Sequence, residues 1–532
     1  MKNPARATRG IAVAPHSLAA ESANAVLREG GNALEAMVAA AATIAVVYPH
    51  MNGIGGDSFW LAYAPGSDPL AIDSCGAAAA AATRDLYRSQ GLDTIPMRGP
   101  LACNTVAGTI SGWKKALEVS STQWGGKMPL SRLLADAIHY ARNGCPVTAS
   151  QAAATVAKVD ELRDVPGYAD TYLVDGQPPV EGSVFKQPRL ADTLERLASA
   201  GLDDFYSGEI AQSIARDLQS IGSPLTLEDL KAQNAQVVKP VELQHSSGRV
   251  FNMTPPTQGV IALAIVGIAD RLGIDRFGPE SAEYVHHMVE AIKQSFVVRD
   301  SCVTDPAYMT VEAQSLLEPV KLDTLAAKVD ADKAFAWGGA TEPGDTIWMG
   351  VIDGEGRAVS FIQSIYHEFG SGVVLPGTGI NWQNRGCSFS LDPEALNALE
   401  PKRKPFHTLN PSMALLNDGR SMVYGTMGGD GQPQTQAAMF TRYVQHGMGL
   451  QEVVSAPRWL LGRTWGNMSE SLKIEGRFSQ EVVDRLRAKG HVVEVVGDYD
   501  EIVGHAGALV RHPNGMMEGG FDPRSDGAVV GF

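Results

Sequence analysis

The sequence predicts a protein of the mixed α and β class, an α/β chain with helices concentrated in its first part and strands in its second. Ala-rich stretches of helical periodicity recur up to about residue 330, whereas short Val/Ile/Phe runs separated by Gly dominate beyond residue 346. A hydrophobic content of 44% in 532 residues, with 56 Gly, describes an ordinary globular chain able to bury a sizeable core.

The elements follow in order. Residues 17 to 48 read as two helices, the second opened by Asn32 with Glu35 in capping-box spacing and closed by Pro49. The Gly-rich run Asn52-Gly-Ile-Gly-Gly-Asp57 leads into the strand Ser58 to Tyr63. Its order of helix, loop, strand is the reverse of a phosphate-cradling loop, so a structural turn is expected. From 127 to 330 the pattern is helical, with Leu130 to Arg142, Leu190 to Ala200, Ile210 to Ile221 and Ala282 to Val298. His286 and His287, adjacent on one helix, point about 100° apart and cannot both face one metal. Residues 331–345 read as a flexible connector. A hairpin follows: Ile347, Met349 and Val351 alternate with Trp348 and Ile352, both faces apolar, and Asp353-Gly-Glu-Gly-Arg357 turns into Ala358 to Ile365. Further strands are expected at Ser421 to Tyr424, Leu472 to Ile474, Val492 to Val496 and Gly507 to Arg511.

Composition narrows the function. A net charge of -15 and the lack of a basic stripe argue against nucleic acid. No apolar run approaches the roughly 20 residues of a membrane helix, and Met1 to His16 lack the apolar core of a secretory signal, so a cytoplasmic, membrane-free protein is expected. The five cysteines are scattered without a Cys-x-x-Cys pair, which implies reduced thiols. No metal-ligand spacing occurs, and neither metal nor cofactor is expected.

The junction Asp345–Thr346, at the open end of the hairpin, suggests chemistry. A threonine hydroxyl needs a base, and a threonine freed as an N-terminus carries one in its own α-amino group, which titrates near 7.7–8.0 in reference peptides. Attack by Thr346 on the carbonyl of Asp345 would create that terminus. Gly428 and Gly429, after a strand, offer backbone N–H groups without side chains in the way, as an oxyanion hole requires.

With these segments on view, the chain resembles the gamma-glutamyltranspeptidase family of N-terminal-nucleophile hydrolases. The resemblance is carried by Gly30-Gly-Asn-Ala-Leu-Glu-Ala36, Gly53-Ile-Gly-Gly-Asp57, Thr105-Val-Ala-Gly108, Thr254-Pro-Pro256, Asp345-Thr346, Val351-Ile-Asp353, Phe369-Gly-Ser-Gly372, Gly428-Gly429 and Asp522-Pro-Arg524. It implies a four-layer αββα sandwich made as a zymogen and cut before Thr346. The products would be a large chain, residues 1–345, and a small chain, residues 346–532, in one shared fold, with a dimer of such heterodimers left open. It also implies Thr346 as nucleophile, Ser364 as its hydrogen-bonding support, and Gly428 and Gly429 as the oxyanion hole.

The sequence departs from that family where a glutamyl group would bind. Cys75 stands in place of the arginine that holds the α-carboxylate; Arg385 and Ser388 replace the acceptors of the α-amino group; His407-Thr408 replaces a Ser-Ser pair and Tyr366 an Asn. Arg385 opposes an ammonium and suits a carboxylate, unless it pairs with an internal acid. The expected substrate is therefore a small amide bearing a carboxylate, oxamate foremost, as in the cytoplasmic branch of the family. The rivals are a gamma-glutamyltransferase or glutathione hydrolase, a glutaryl-type acylase, and an unprocessed binding protein.

Overall fold

The computed structural model describes residues 3–338, 345–462 and 471–532. Two seven-stranded sheets form its centre. One runs, in spatial order, Ala5–Ala7, Met517–Phe521, Ala506–Arg511, Ser421–Thr426, Ser412–Leu416, Gly248–Asn252 and Val241–His245. The other runs Ala528–Gly531, Gly10–Ala14, Asp345–Asp353, Ala358–Tyr366, Asp57–Tyr63, Leu70–Asp73 and Gln236–Val238. All neighbouring strands in both are antiparallel.

The alternation of the Asp345–Asp353 strand explains the layering. Trp348 and Ile352 enter a core between the sheets with Phe59, Phe251, Met413 and Val423. Ile347, Met349 and Val351 point the other way, into a core shared with the helices Ser17–Arg28 and Ala33–Val47. On the far side of the first sheet, Gly259–Leu272, Ala282–Cys302 and Gly431–Phe440 build a third core. Helix, sheet, sheet, helix is thus the order of layers. Ala33–Val47 is buried along its whole length, as its all-round apolar sequence requires. Its capping box is formed: Asn32 accepts from the N–H groups of Leu34 and Glu35, and Glu35 accepts from Asn32 at 2.9 Å.

Trp348 needs unusual room. A Cβ at Gly350, Gly425 or Gly507 would run into its ring, so three glycines from both sheets make its seat. The indole N–H donates to Ser360 Oγ at 3.0 Å. This packing lies two residues from Thr346.

The expected helical first part and strand-richer second part are found, but they are not separate units: both supply strands to both sheets and helices to the outer layers. The Val241–His245/Gly248–Asn252 hairpin lies in the stretch read as helical, and Leu130 to Arg142 is two helices, Leu130–Leu133 and Ala135–Asn143. The connector has no regular element over 331–338, yet it is held in place: Glu290 accepts from the Phe335 N–H at 3.0 Å and Lys293 donates to its carbonyl at 2.8 Å. Residues 339–344 of the connector lie outside the described residues. Among the described residues no helix is long and apolar enough to cross a membrane.

Candidate active site

Thr346 is 1% exposed and sits where the hairpin ladder slips: Asp345 pairs with Tyr366 and Ile347 with Gln363, leaving Thr346 in the irregularity. Opposite it the partner strand carries Ser364, also buried. Ser364 Oγ accepts from the Tyr366 N–H at 2.8 Å. That contact goes with a left-handed backbone at Tyr366, φ +84°, a conformation costing a non-glycine residue ~1–3 kcal/mol. The Asn52–Asp57 turn is structural, as expected. Gly56 lies so close to the Ser364 carbonyl that any side chain would collide with it.

Stacking secures the Tyr366 ring. His367 packs parallel to it at 4.2 Å, and the Arg385 guanidinium carbon lies 3.3 Å from its centroid. Arg385 opens a short 3-10 turn, Arg385–Ser388, and is 2% exposed. Among the described residues its guanidinium has no acidic partner within ion-pair distance, and its Nε is buried with no acceptor. The internal ion pair that would have made Arg385 merely structural is absent there. Arg385 and Tyr366 instead line a cavity of about 600 Å³ with Met97, Ser388, Phe389 and Phe406. Ser388 donates to the Arg385 carbonyl at 3.0 Å, so toward a ligand it presents acceptor capacity.

His407 and Thr408 lie beside this cluster. His407 Nε2 is 3.1 Å from Asp57 Oδ2, and its Nδ1 and the Thr408 hydroxyl are buried with no partner among the described residues. Asp57 Oδ1 accepts from the N–H groups of Gly76 and Gly108, each at 3.0 Å. Burial pushes the Asp57 carboxyl up to about 7, with those N–H groups and the Arg385 cation pulling it back. Burial, then Arg385, holds His407 well below the usual histidine range. Cys75 is a neutral thiol: burial first, then Asp57, raises it far above its ordinary value, and its Sγ faces the Gly76 carbonyl at 3.4 Å. It fills space by Asp57 and His407 and carries no charge for a ligand.

A stability prediction follows from Asp57. Between its ordinary value near 4 and about 7, the folded chain keeps a proton that the unfolded chain releases. This group therefore costs stability as pH rises through that window, at a limiting slope of about 1.4 kcal/mol per pH unit. Denaturant titrations from pH 5 to 7.5, made in the uncut Thr346→Ala chain, should show Asp57→Asn gaining on its Asp57 parent as pH rises. A constant difference would mean that the carboxyl does not titrate there.

Gly428 and Gly429 follow the Ser421–Thr426 strand with φ of +115° and +52°, values that suit glycine. Their carbonyls accept from Gly431 and Gln432, while neither N–H has a partner among the described residues.

The profile of the family described as Gamma-glutamyltranspeptidase matches residues 19–532. The chain belongs to the gamma-glutamyltranspeptidase family. It is 59% identical over 525 residues to the oxamate amidohydrolase proenzyme of Klebsiella pneumoniae, covering 99% of each chain. It is 41% identical to the glutathione hydrolase-like YwrD proenzyme of Bacillus subtilis, again over 99% of each. Among solved structures, cephalosporin acylase from Bacillus halodurans superposes with a TM-score of 0.91 at 32% identity, covering 100% of this chain and 97% of that one. The αββα N-terminal-nucleophile architecture is thereby established.

For this member of the gamma-glutamyltranspeptidase family, sequence reasoning missed Asp57, Gln258, Arg299 and Asp430. Their roles are tertiary hydrogen bonds to main chain and to one another, which leave no local signal. Two groups of potential metal ligands occur among the described residues, Asp57 with Cys75 and His407, and His286 with Glu290 and His491. Neither suits a cation. Arg385 and Lys404 act on the first, and the Lys293 ammonium sits 2.7 Å from Glu290 in the second. His286 and His287 point to different partners, His491 and the Glu283 carbonyl, as their adjacency on one helix requires.

Proposed function

We propose that the protein is a self-processing amidohydrolase that cleaves a small amide bearing a carboxylate, with oxamate as the reference substrate. The observation that carries this is Arg385: a buried guanidinium with no acidic group at ion-pair distance among the described residues, in a cavity wall shared with Tyr366, the strand partner of Asp345. Burying a cation unpaired is costly, and a substrate carboxylate held in a planar fork supplies the missing partner. The name of the Klebsiella relative agrees with this.

Chemistry follows from position. Thr346 Oγ attacks the Asp345 carbonyl, the ester hydrolyses, and the freed α-amino group becomes the base for catalysis. Thr346 then attacks the substrate amide carbonyl, the N–H groups of Gly428 and Gly429 receive the negative oxygen, and ammonia leaves with a proton passed through the amine. Water attacks the acyl-threonine ester by the same route, releasing the acid. Ser364 supports the hydroxyl; His407, Thr408 and Ser388 border the acyl group. The working unit is a large and a small chain folded together. A gamma-glutamyl group fits poorly, because its ammonium would face Arg385. The cavity volume, well beyond the needs of oxamate, favours as second reading a longer monoamide of the glutaryl type.

The test is kcat/KM for oxamate, a glutaryl monoamide and a gamma-glutamyl amide on the processed enzyme, read as ammonia or amine released. Oxamate should exceed the gamma-glutamyl compound by about two orders of magnitude, the size of one lost charged contact plus repulsion. A preference for the gamma-glutamyl amide would replace this reading with that of a transpeptidase.

A further inference from the structure

We infer that Gln258, clamped by Arg299, is a positioning residue that locks the two walls of the active site together and holds the oxyanion donors in register. The inference rests on the proposed role of Gly428 and Gly429. Gln258 stands just before the helix Gly259–Leu272 and is fully buried. Its side-chain amide donates to two main-chain carbonyls, Thr408 and Gly429, each at 3.0 Å. Its own N–H donates to the His407 carbonyl at 3.0 Å, and the His407 N–H donates to Pro256 at 2.9 Å. One residue thus ties the His407-Thr408 wall to the glycine turn.

The orientation of this amide is not arbitrary. Arg299 Nη1 lies 3.2 Å from Gln258 Oε1 and 2.9 Å from Asp430 Oδ1. Because a guanidinium only donates, it must face the amide oxygen, which turns the NH2 toward the two carbonyls. Arg299 is itself 1% exposed, packed over Phe296 at 3.9 Å and bonded to Asp300 at 2.8 Å. Asp430 directly follows the glycine pair, so Arg299 grips that turn a second time.

A turn of two glycines needs such anchors. Glycine has the greatest backbone freedom, and an oxyanion donor serves catalysis only when it is fixed before charge develops. The Gly428 carbonyl is held by the Gly431 N–H at 2.7 Å, and the Gly429 carbonyl by Gln258. The two peptide planes that carry or border the donors are then set at both ends. Substrate binding through Arg385 uses none of these bonds, so Gln258 should act on turnover rather than on affinity.

The experiment uses full-length protein carrying Gln258→Met, which keeps the length and removes the donors, and Gln258→Glu, which keeps the length and the pairing with Arg299. Active sites are counted by a covalent acylating probe, and oxamate turnover is expressed per site. Both variants should lose at least tenfold in kcat with KM within about threefold, and the precursor should process more slowly in the same proportion. In Gln258→Glu, kcat taken relative to wild type at the same pH should recover in part as pH falls and the acid regains one O–H donor. A folded, processed variant with kcat within threefold of wild type overturns the inference, as does failure of both variants to show a cooperative melt, which would assign Gln258 to folding. Failure of the functional reading itself would appear separately, as a wild type that neither processes nor turns over oxamate.

Discussion

Thr346→Ala should leave the 532-residue chain in one piece on a denaturing gel, while the wild type should run as two bands of about 345 and 187 residues. The effect is all-or-none because the alanine removes the one oxygen placed to attack the Asp345 carbonyl within its own residue. Amide hydrolysis should fall to background in the same variant, for without cleavage there is no free amine to act as base. Thr346→Ser should still process, more slowly, since the oxygen remains but the methyl that restricts its rotamer is gone. The fold of the alanine variant should be unaffected, since the strand that holds residue 346 is anchored by Trp348, Met349 and Ile352 in two cores. Scission of Thr346→Ala at the same bond would remove Thr346 as the processing nucleophile.

Arg385→Gln separates substrates. For oxamate, kcat/KM should drop by roughly 10²-fold, the loss of a charge-assisted contact in a buried site. Processing survives, because Arg385 stands beside Tyr366 rather than on the glycine turn. Activity on a gamma-glutamyl amide stays level or rises, since the variant no longer opposes an ammonium there. Divergence is the result to look for, and it is insensitive to a general loss of folded enzyme. Equal loss on oxamate, glutaryl and gamma-glutamyl amides would end the carboxylate assignment for Arg385.

How much of this was legible varies by the range of the interactions involved. The capping box at Asn32 and the hairpin around Asp353 were readable because their signals lie within a few residues of one another. The strand Gly10–Ala14 was missed: five residues with both faces buried show no period. The Val241–His245/Gly248–Asn252 hairpin hid among strong helical neighbours. At the site, Arg385 stood out as a cation where the family has an acceptor, but its lack of an ion-pair partner among the described residues could be learned only from the fold. Asp57 looked like the end of a glycine turn; His407, which makes it more than that, lies 350 residues away in sequence.

The interleaving of strands has a consequence for the protein after it is cut. In the second sheet, Asp345–Asp353 and Ala358–Tyr366 lie between Gly10–Ala14 and Asp57–Tyr63, so the small chain's first two strands are flanked on both sides by the large chain. Neither chain could leave without breaking five ladders among the described residues, two in the first sheet and three in the second, and opening three cores. While the precursor is continuous, its parts find each other at the high effective concentration of a single polymer. The proposed scission before Thr346 would forfeit that advantage without disturbing the native contacts, so the mature enzyme would persist by its unfolding barrier rather than by an equilibrium it could re-establish. Heating and cooling should therefore be reversible for the uncut Thr346→Ala chain and irreversible for the processed pair: maturation makes folding a one-time event.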